Sequence, residues 1–216
     1  MKIKIDYFTD VLCVWAYINE RRIAELNQDY LKQINLSHHY VEIFASVADK
    51  MASQWQAKGG YGGFREHVVQ AAEQFQLSVH SSIWQTCKPT SSAPAHLYGK
   101  AFQIVFDDNA ELKWLSAVRQ AFFIDGRDIS QVAVLDEMVN EQGVESGQIK
   151  VAIDSGAAIA ALMLDRKTCE SWKIKGSPSL VMNQGRQILF GNVGYGIIRA
   201  NIEELRQNNS SKASWC

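Results

Sequence analysis

Residues 2–8 alternate between apolar and polar. Ile3, Ile5 and Tyr7 fall on one side, Lys4 and Asp6 on the other, which is the period-two pattern of a half-buried strand. Helical spacing then takes over, with Ile23, Leu26 and Tyr30 predicting a helix from Cys13 to about Tyr30. From Leu36 to Phe44 the run is β-like again, carrying Tyr40, Val41, Ile43 and Phe44. Strand, helix and strand joined in this way read as a parallel, right-handed βαβ unit.

The middle of the chain follows a different period. From about Phe64 to Trp172 one helix pattern succeeds another. The segments are His67–Phe75, Ala95–Phe106 with Leu97, Ala101, Ile104 and Val105, and Leu112–Phe123 with Leu115, Val118 and Phe122. Asp125-Gly126 stops the third of these, and Ser130 is placed to cap a helix bearing Val132, Leu135 and Val139. Gly143 and Gly147 interrupt the pattern before helices resume over Ile149–Ile153 and Ala157–Lys167. The end returns to β. Ser179–Met182 and Gln187–Phe190 flank Asn183-Gln184-Gly185-Arg186, a hairpin signal in which Gly185 suits positive φ. Ile197–Leu205 reads as a closing helix, so the order is βαβ, a helical block, then ββα, an α/β chain.

Composition narrows the classes. The chain has 216 residues, 47% of them hydrophobic, enough for a full core. Its 22 basic and 23 acidic residues leave a net charge of −1, which gives no electrostatic footprint for nucleic acid or an anionic membrane. Met1-Lys2-Ile3-Lys4-Ile5 reads directly as strand, without the apolar stretch of a signal peptide, and no run approaches the ~18 apolar residues of a membrane span. The expected location is the cytoplasm. Four cysteines stand at 13, 87, 169 and 216, none at Cys-x-x-Cys spacing, so free thiols are expected rather than disulfides or a zinc knuckle.

Two motifs carry the chemistry. Thr9-Asp10-Val11-Leu12-Cys13-Val14-Trp15-Ala16-Tyr17 crosses from the first strand into the first helix, and Gly176-Ser177-Pro178-Ser179-Leu180-Val181 opens the terminal hairpin. Together they resemble the active site of the DsbA family, with its Cys-Pro-Trp-Cys motif and opposing cis-proline loop. The likeness covers essentially the whole chain. It is nearest to the cytoplasmic FrnE-like branch, whose helical block carries a stretch like Ser91-Ser92-Ala93-Pro94-Ala95-His96. The same fold hosts kappa-class glutathione transferases and 2-hydroxychromene-2-carboxylate isomerases. The resemblance implies a thioredoxin fold (βαβ plus ββα) with an inserted all-helical subdomain. It agrees with the 165 positions between Cys13 and Pro178, too many for a bare thioredoxin. Residues 1–62 and 172–216 would form the thioredoxin-fold domain and 63–171 the insertion.

The resemblance makes Cys13 the nucleophile and has Trp15 shape its surroundings. A cis Ser177–Pro178 loop would offer the Ser177 backbone to an extended substrate. A thiol at a helix N-terminus meets unpaired amides and a partial positive charge, so a lowered pKa is expected for Cys13. Asp10 stands close enough to tune that thiol or to cap the helix. The sequence departs from the family motif at two places. Val14 replaces the proline, and Ala16 stands at the resolving position, so an outside thiol must release any mixed disulfide on Cys13.

Three functions follow. The preferred one is monothiol thiol–disulfide exchange with protein thiols or with glutathione as co-substrate; no metal or bound prosthetic group is implied. The second is a glutathione-dependent transferase or isomerase of the kappa type. Those relatives hold the glutathione carboxylate with Ser-Asp-Arg where this chain has Gly191-Asn192-Val193-Gly194-Tyr195, leaving Asn192 and backbone N–H groups for the task. The third is a redox-inactive peptide-binding module. Kappa-like relatives are often dimers, so a homodimer is compatible with the resemblance.

Other features carry less. Cys87 is the internal candidate to resolve Cys13, against packing in the core; Cys169 is expected to pack, and Cys216 ends a polar tail. His38-His39 has no third ligand at metal spacing. Gly59-Gly60-Tyr61-Gly62-Gly63 lacks the Lys-Ser/Thr of a phosphate loop and reads as a flexible linker, while Gly194-Tyr195-Gly196 reads as a turn. Trp84, Trp114 and Trp172 are expected in the core, with room for some of them to line a groove above Cys13.

Overall fold

The alternating start of the chain forms β1 (Ile3–Thr9), and the helical pattern after it forms α1 (Val14–Asp29). β2 (Ile34–Tyr40) runs parallel to β1, pairing Ile5 with Leu36 and Tyr7 with His38. The terminal hairpin, β3 (Ser179–Met182) and β4 (Gln187–Phe190), joins antiparallel to β1, giving the sheet order β2-β1-β3-β4. The computed structural model describes residues 2–207, and Cys216 lies outside them.

Between β2 and β3 the chain is helical: α2 (Val47–Lys50), α3 (Gly60–Gln74), α4 (Ala93–Val105), α5 (Asp108–Arg119), α6 (Val132–Glu141), α7 (Ser146–Asp154) and α8 (Ala157–Ser171). α9 (Tyr195–Gln207) follows the hairpin. This is a thioredoxin fold with a helical insertion. No single helix among the described residues is long and apolar enough to cross a membrane.

One sheet face is apolar. Ile3, Ile5 and Tyr7 of β1, with Leu180 and Met182 of β3, pack under Ile23 and Leu26 of α1 and Ile198 and Ile202 of α9. On the other face Phe8 and Val181 meet Trp172 and Ile174, the segment leading from α8 to β3. The largest cluster belongs to the helical block, and it takes in Leu12, Cys13 and Val14. The thiol segment is thus part of the seam between sheet and block.

Five local expectations change. β2 ends at Tyr40, because the chain beyond it turns off the sheet: Val41 N–H still reaches Thr9 O, but Phe44 N–H goes to the Asp10 carboxylate and Phe44 packs in the block. The glycine run is not a linker: Gly60–Gly63 is the first turn of α3, after a π turn at Met51–Trp55 and a 3-10 turn at Gln56–Lys58. Gly63 is needed there, because a Cβ would stand 1.7 Å from Lys58 O. Ser130 does not cap α6; Gln131 holds that position while the Ser130 hydroxyl donates to Asp128 Oδ1 and accepts from Thr90 N–H. Gly147 lies inside α7 and Tyr195 begins α9, so neither marks a break or a turn. The hairpin matches its signal, with Gly185 at φ +87.

Candidate active site

β1 delivers the chain to a tight turn at the end of the sheet. Asp10 Oδ1 accepts Leu12 N–H at 2.9 Å, an Asx turn, and Cys13 N–H returns to Asp10 O at 3.2 Å. Cys13 is then the N-cap of α1, extended at φ −80 and ψ 115, with its carbonyl accepting Tyr17 N–H at 3.0 Å. Asp10 therefore shapes the turn before the helix instead of capping α1.

The far end of the chain closes on this turn. The Ser177–Pro178 peptide bond is cis. Cys13 Sγ donates to Ser177 O at 3.2 Å, and Ser177 Oγ accepts Asp10 N–H at 2.9 Å. Pro178 O accepts Gly191 N–H at 2.8 Å, which ties the β4–α9 loop to the same place. Cys13, Ser177 and Pro178 thus meet. Ala16, fully buried, puts only a methyl at the second position.

Trp15 packs against the cluster that takes in Cys13. Its ring meets His67 of α3 edge-on at 5.9 Å and Phe75, the residue that ends that helix, at 6.4 Å. Arg22, seven residues on and therefore on the same face of α1, lies 5.5 Å over the Phe75 ring and donates to Asn192 Oδ1. The β4–α9 loop carries no cation of its own, but α1 brings one to it. Helical spacing from Trp15 was the signal that could have found Arg22.

The expected electrostatics of Cys13 change sign. Only 7% of the residue is exposed. Burial disfavours the anion and pushes the thiol above its ordinary value; the N–H groups of Ala16 and Trp15 and the Ser177 side chain oppose this, while the nearby Asp10 carboxylate adds to it. The partial charge of a helix end does not offset complete desolvation. In this state the sulfur is a thiol, as its donated hydrogen bond to Ser177 O requires.

Asp10 is itself fully buried. Burial raises it to about 6, against hydrogen bonds from Leu12 N–H, Phe44 N–H and the Ser92 hydroxyl, the last at 2.9 Å. His96 Nε2 accepts Val11 N–H at 3.2 Å, so the ring is neutral, and burial depresses it to about 3. Ser92 and His96, noted in sequence only for their resemblance, are thus the clamps that hold the thiol turn to α4. Arg119 of α5, 1% exposed, grips the same turn by donating to Thr9 Oγ1. Lys50 of α2 was missed outright. Its half-buried ammonium lies 4.8 Å over the Phe44 ring, within Coulomb reach of both Cys13 and Asp10; burial lowers its pKa and these two groups raise it. Nothing in its local sequence signals that role.

The remaining candidates fall elsewhere. Cys13, Cys87 and Cys169 are all unpaired. Cys87 is buried, and burial with Asp128 pushes it to about 11. Cys169 is half-buried at 3.7 Å from Tyr40 O. His38 is buried edge-on to Tyr7, and His39 bridges Asp6 at 2.9 Å and Asp165 at 2.8 Å. No metal-binding group of three or more such side chains occurs among the described residues. Trp84 and Trp114 are core residues, 1% and 0% exposed, and Trp172 packs beside Gly185.

No curated protein matches this chain. Solved structures share its fold. A proposed protein disulfide isomerase from Nitrosomonas europaea superposes with a TM-score of 0.80 at 15% identity, over 97% of this chain and 100% of that one. The cytosolic disulfide reductase DsbM from Pseudomonas aeruginosa gives 0.71 at 19% identity over 94% and 98%, and it has also been solved with GSH. A 2-hydroxychromene-2-carboxylate isomerase gives 0.67 at 13% identity over 98% and 100%. A family model, the DSBA-like thioredoxin domain, matches residues 4–203. By that match across nearly its whole length, the chain belongs to the DSBA-like thioredoxin domain family.

Proposed function

We propose that this protein catalyses thiol–disulfide exchange through one cysteine, Cys13, with glutathione as co-substrate. The observation that carries the reading is the meeting of Cys13 Sγ with Ser177 O at 3.2 Å, beside a second position that holds only Ala16. The Cys13 thiolate attacks a glutathione mixed disulfide. A Cys13–glutathione disulfide forms and the substrate leaves as a thiolate that takes up a proton. A second glutathione thiolate then attacks that disulfide, forming oxidised glutathione and releasing Cys13. The net change is one mixed disulfide and one glutathione converted to a free thiol and oxidised glutathione.

The buried thiol fits this cycle if docking activates it. Ser177 O holds the thiol proton in the free protein. A substrate peptide N–H that takes over this carbonyl, in the manner of an added strand, removes the bond that favours the thiol. Arg22, held at Asn192, offers a glutathione carboxylate its cation. The reading places the protein in a reducing compartment, the cytoplasm, as DsbM is described.

The test is reduction of a small glutathione mixed disulfide. The wild type turns it over, Cys13→Ser abolishes turnover, and mass spectrometry of the trapped intermediate finds glutathione on Cys13. A second reading, glutathione-dependent transfer or isomerisation, is favoured by the burial of Cys13, since bound glutathione would then supply the thiolate. Product formation from an electrophile by Cys13→Ser, without any mixed disulfide, would establish it.

A further inference from the structure

We infer that the groove between α8 and the chain after β2 is a docking strip for an extended, acidic and apolar segment of a client polypeptide beside its disulfide. The inference rests on the exchange reading and names its substrate class. Two hollows of about 420 and 550 Å³ share Val41, Glu42 and Arg166, and so form one groove. One end is lined by Gly176, the residue before Ser177, so the groove is continuous with the loop that touches Cys13. The other reaches Ile159, twelve residues up α8 from Ser171. At 1.5 Å per residue this is about 18 Å, the span of five or six extended residues. A glutathione at Cys13 leaves most of that length uncovered.

Its chemistry is mixed. Ile159 and Met163 are 51% and 61% exposed, an apolar wall left open to solvent by the described residues. Arg166, Lys167, Lys173 and Lys175 line it against Glu42 and Glu170. Arg166 meets both acids, at 3.7 and 3.2 Å, whereas Lys167, Lys173 and Lys175 make no ion pair among the described residues. A chain with net charge −1 thus concentrates excess positive charge in one strip leading to its thiol. Leucine or methionine side chains would cover the wall, and aspartate or glutamate would meet the lysines.

The experiment uses the full chain and three glutathione mixed disulfides: of cysteine, of a ten-residue peptide with alternating Leu and Glu beside its cysteine, and of the same peptide with Lys for Glu. Wild-type KM for the Glu peptide is expected to be at least tenfold below that for the Lys peptide. Lys167→Glu with Lys175→Glu raises the Glu-peptide KM about tenfold, lowers the Lys-peptide KM, and leaves kcat and the cysteine substrate unchanged. Turnover of all three with equal KM overturns the strip and leaves the exchange reading standing. No turnover of any substrate defeats the exchange reading. Fluorescence anisotropy of the Glu peptide with its cysteine replaced by serine then decides the strip alone: binding lost in the double variant supports it, and no binding overturns it. Dissociation of a homodimer by Met163→Glu, seen by sedimentation, also overturns it by making the strip an interface between copies.

Discussion

Two cysteines of this protein can be compared directly, Cys13 and Cys169. Both are withdrawn from water, and in both burial raises the pKa. They differ in what faces the sulfur. At Cys13 two amide N–H groups and the Ser177 side chain act for the anion, with Asp10 against. Cys169 sits late in α8 among Asp165, Glu42 and Glu170, which all act against the anion, and it is pushed to about 12. Burial alone does not separate the two thiols. What separates them is whether the neighbours are donors or carboxylates, and whether one of the opposing groups can change.

The broadest break of this comparison is differential alkylation. At pH 8 iodoacetamide should modify Cys13 at least about tenfold faster than Cys169, although Cys169 is the more exposed, because amide donors face the Cys13 sulfur whereas carboxylates face that of Cys169. Cys87, which burial and Asp128 push to about 11, should also react more slowly than an ordinary thiol. Peptide mass spectrometry of a timed reaction reads all three sites. A rate that follows exposure, with Cys169 fastest, would dissolve the distinction.

That contrast was half legible in the sequence. Cys13, Ser177 and Pro178 belong to motifs a few residues long, so their meeting could be expected without coordinates. The hairpin at 179–190 was equally plain, because its turn chemistry is local. The sign of the Cys13 shift was not. A helix N-terminus is a local feature, whereas the burial of this one comes with packing against the helical block, where Phe44 shares the Cys13 cluster and Ser92 and His96 hold Asp10 and Val11. The same limit explains the glycine run, whose Gly63 is set by close approach to Lys58 O and reads alone as a linker. It also explains Asp6, which alternates like a solvent-facing residue but is buried under α8 with His39 and Asp165.

Asp10→Asn sharpens the comparison by removing the carboxylate that opposes the Cys13 anion. The pH midpoint of Cys13 alkylation should fall by roughly half a unit to one unit, a three- to tenfold gain in rate below the midpoint, with Cys169 unmoved. The same variant has a signature in stability. Asp10 is about 6 when folded and near 3.9 unfolded, so the folded state binds the proton more tightly. Its stabilising contribution is complete below about pH 4 and is lost as pH rises through about 6, a difference on the order of 3 kcal/mol. Urea unfolding at pH 5 and pH 7.5 should show about half of this loss in the wild type and a flatter response in Asp10→Asn. Equal slopes in the two proteins would mean that Asp10 ionises freely in the fold.

Lys50→Gln acts from the opposite side and is the finest test of what distinguishes the two thiols. Lys50 lies in the field of both Cys13 and Asp10, and it is a cation on a flexible stem, half-exposed, so its influence is screened. Removing it takes away attraction for the thiolate and also for the Asp10 carboxylate. Both anions become harder to form. The Cys13 midpoint should therefore rise, but only by a few tenths of a unit, about a twofold loss of alkylation rate at pH 8. Lys50→Arg should restore it, because the charge returns at similar reach. In the double variant with Asp10→Asn the Lys50 effect should persist, since the direct attraction to Cys13 remains. Its disappearance there would mean that Lys50 reaches the thiol only through Asp10.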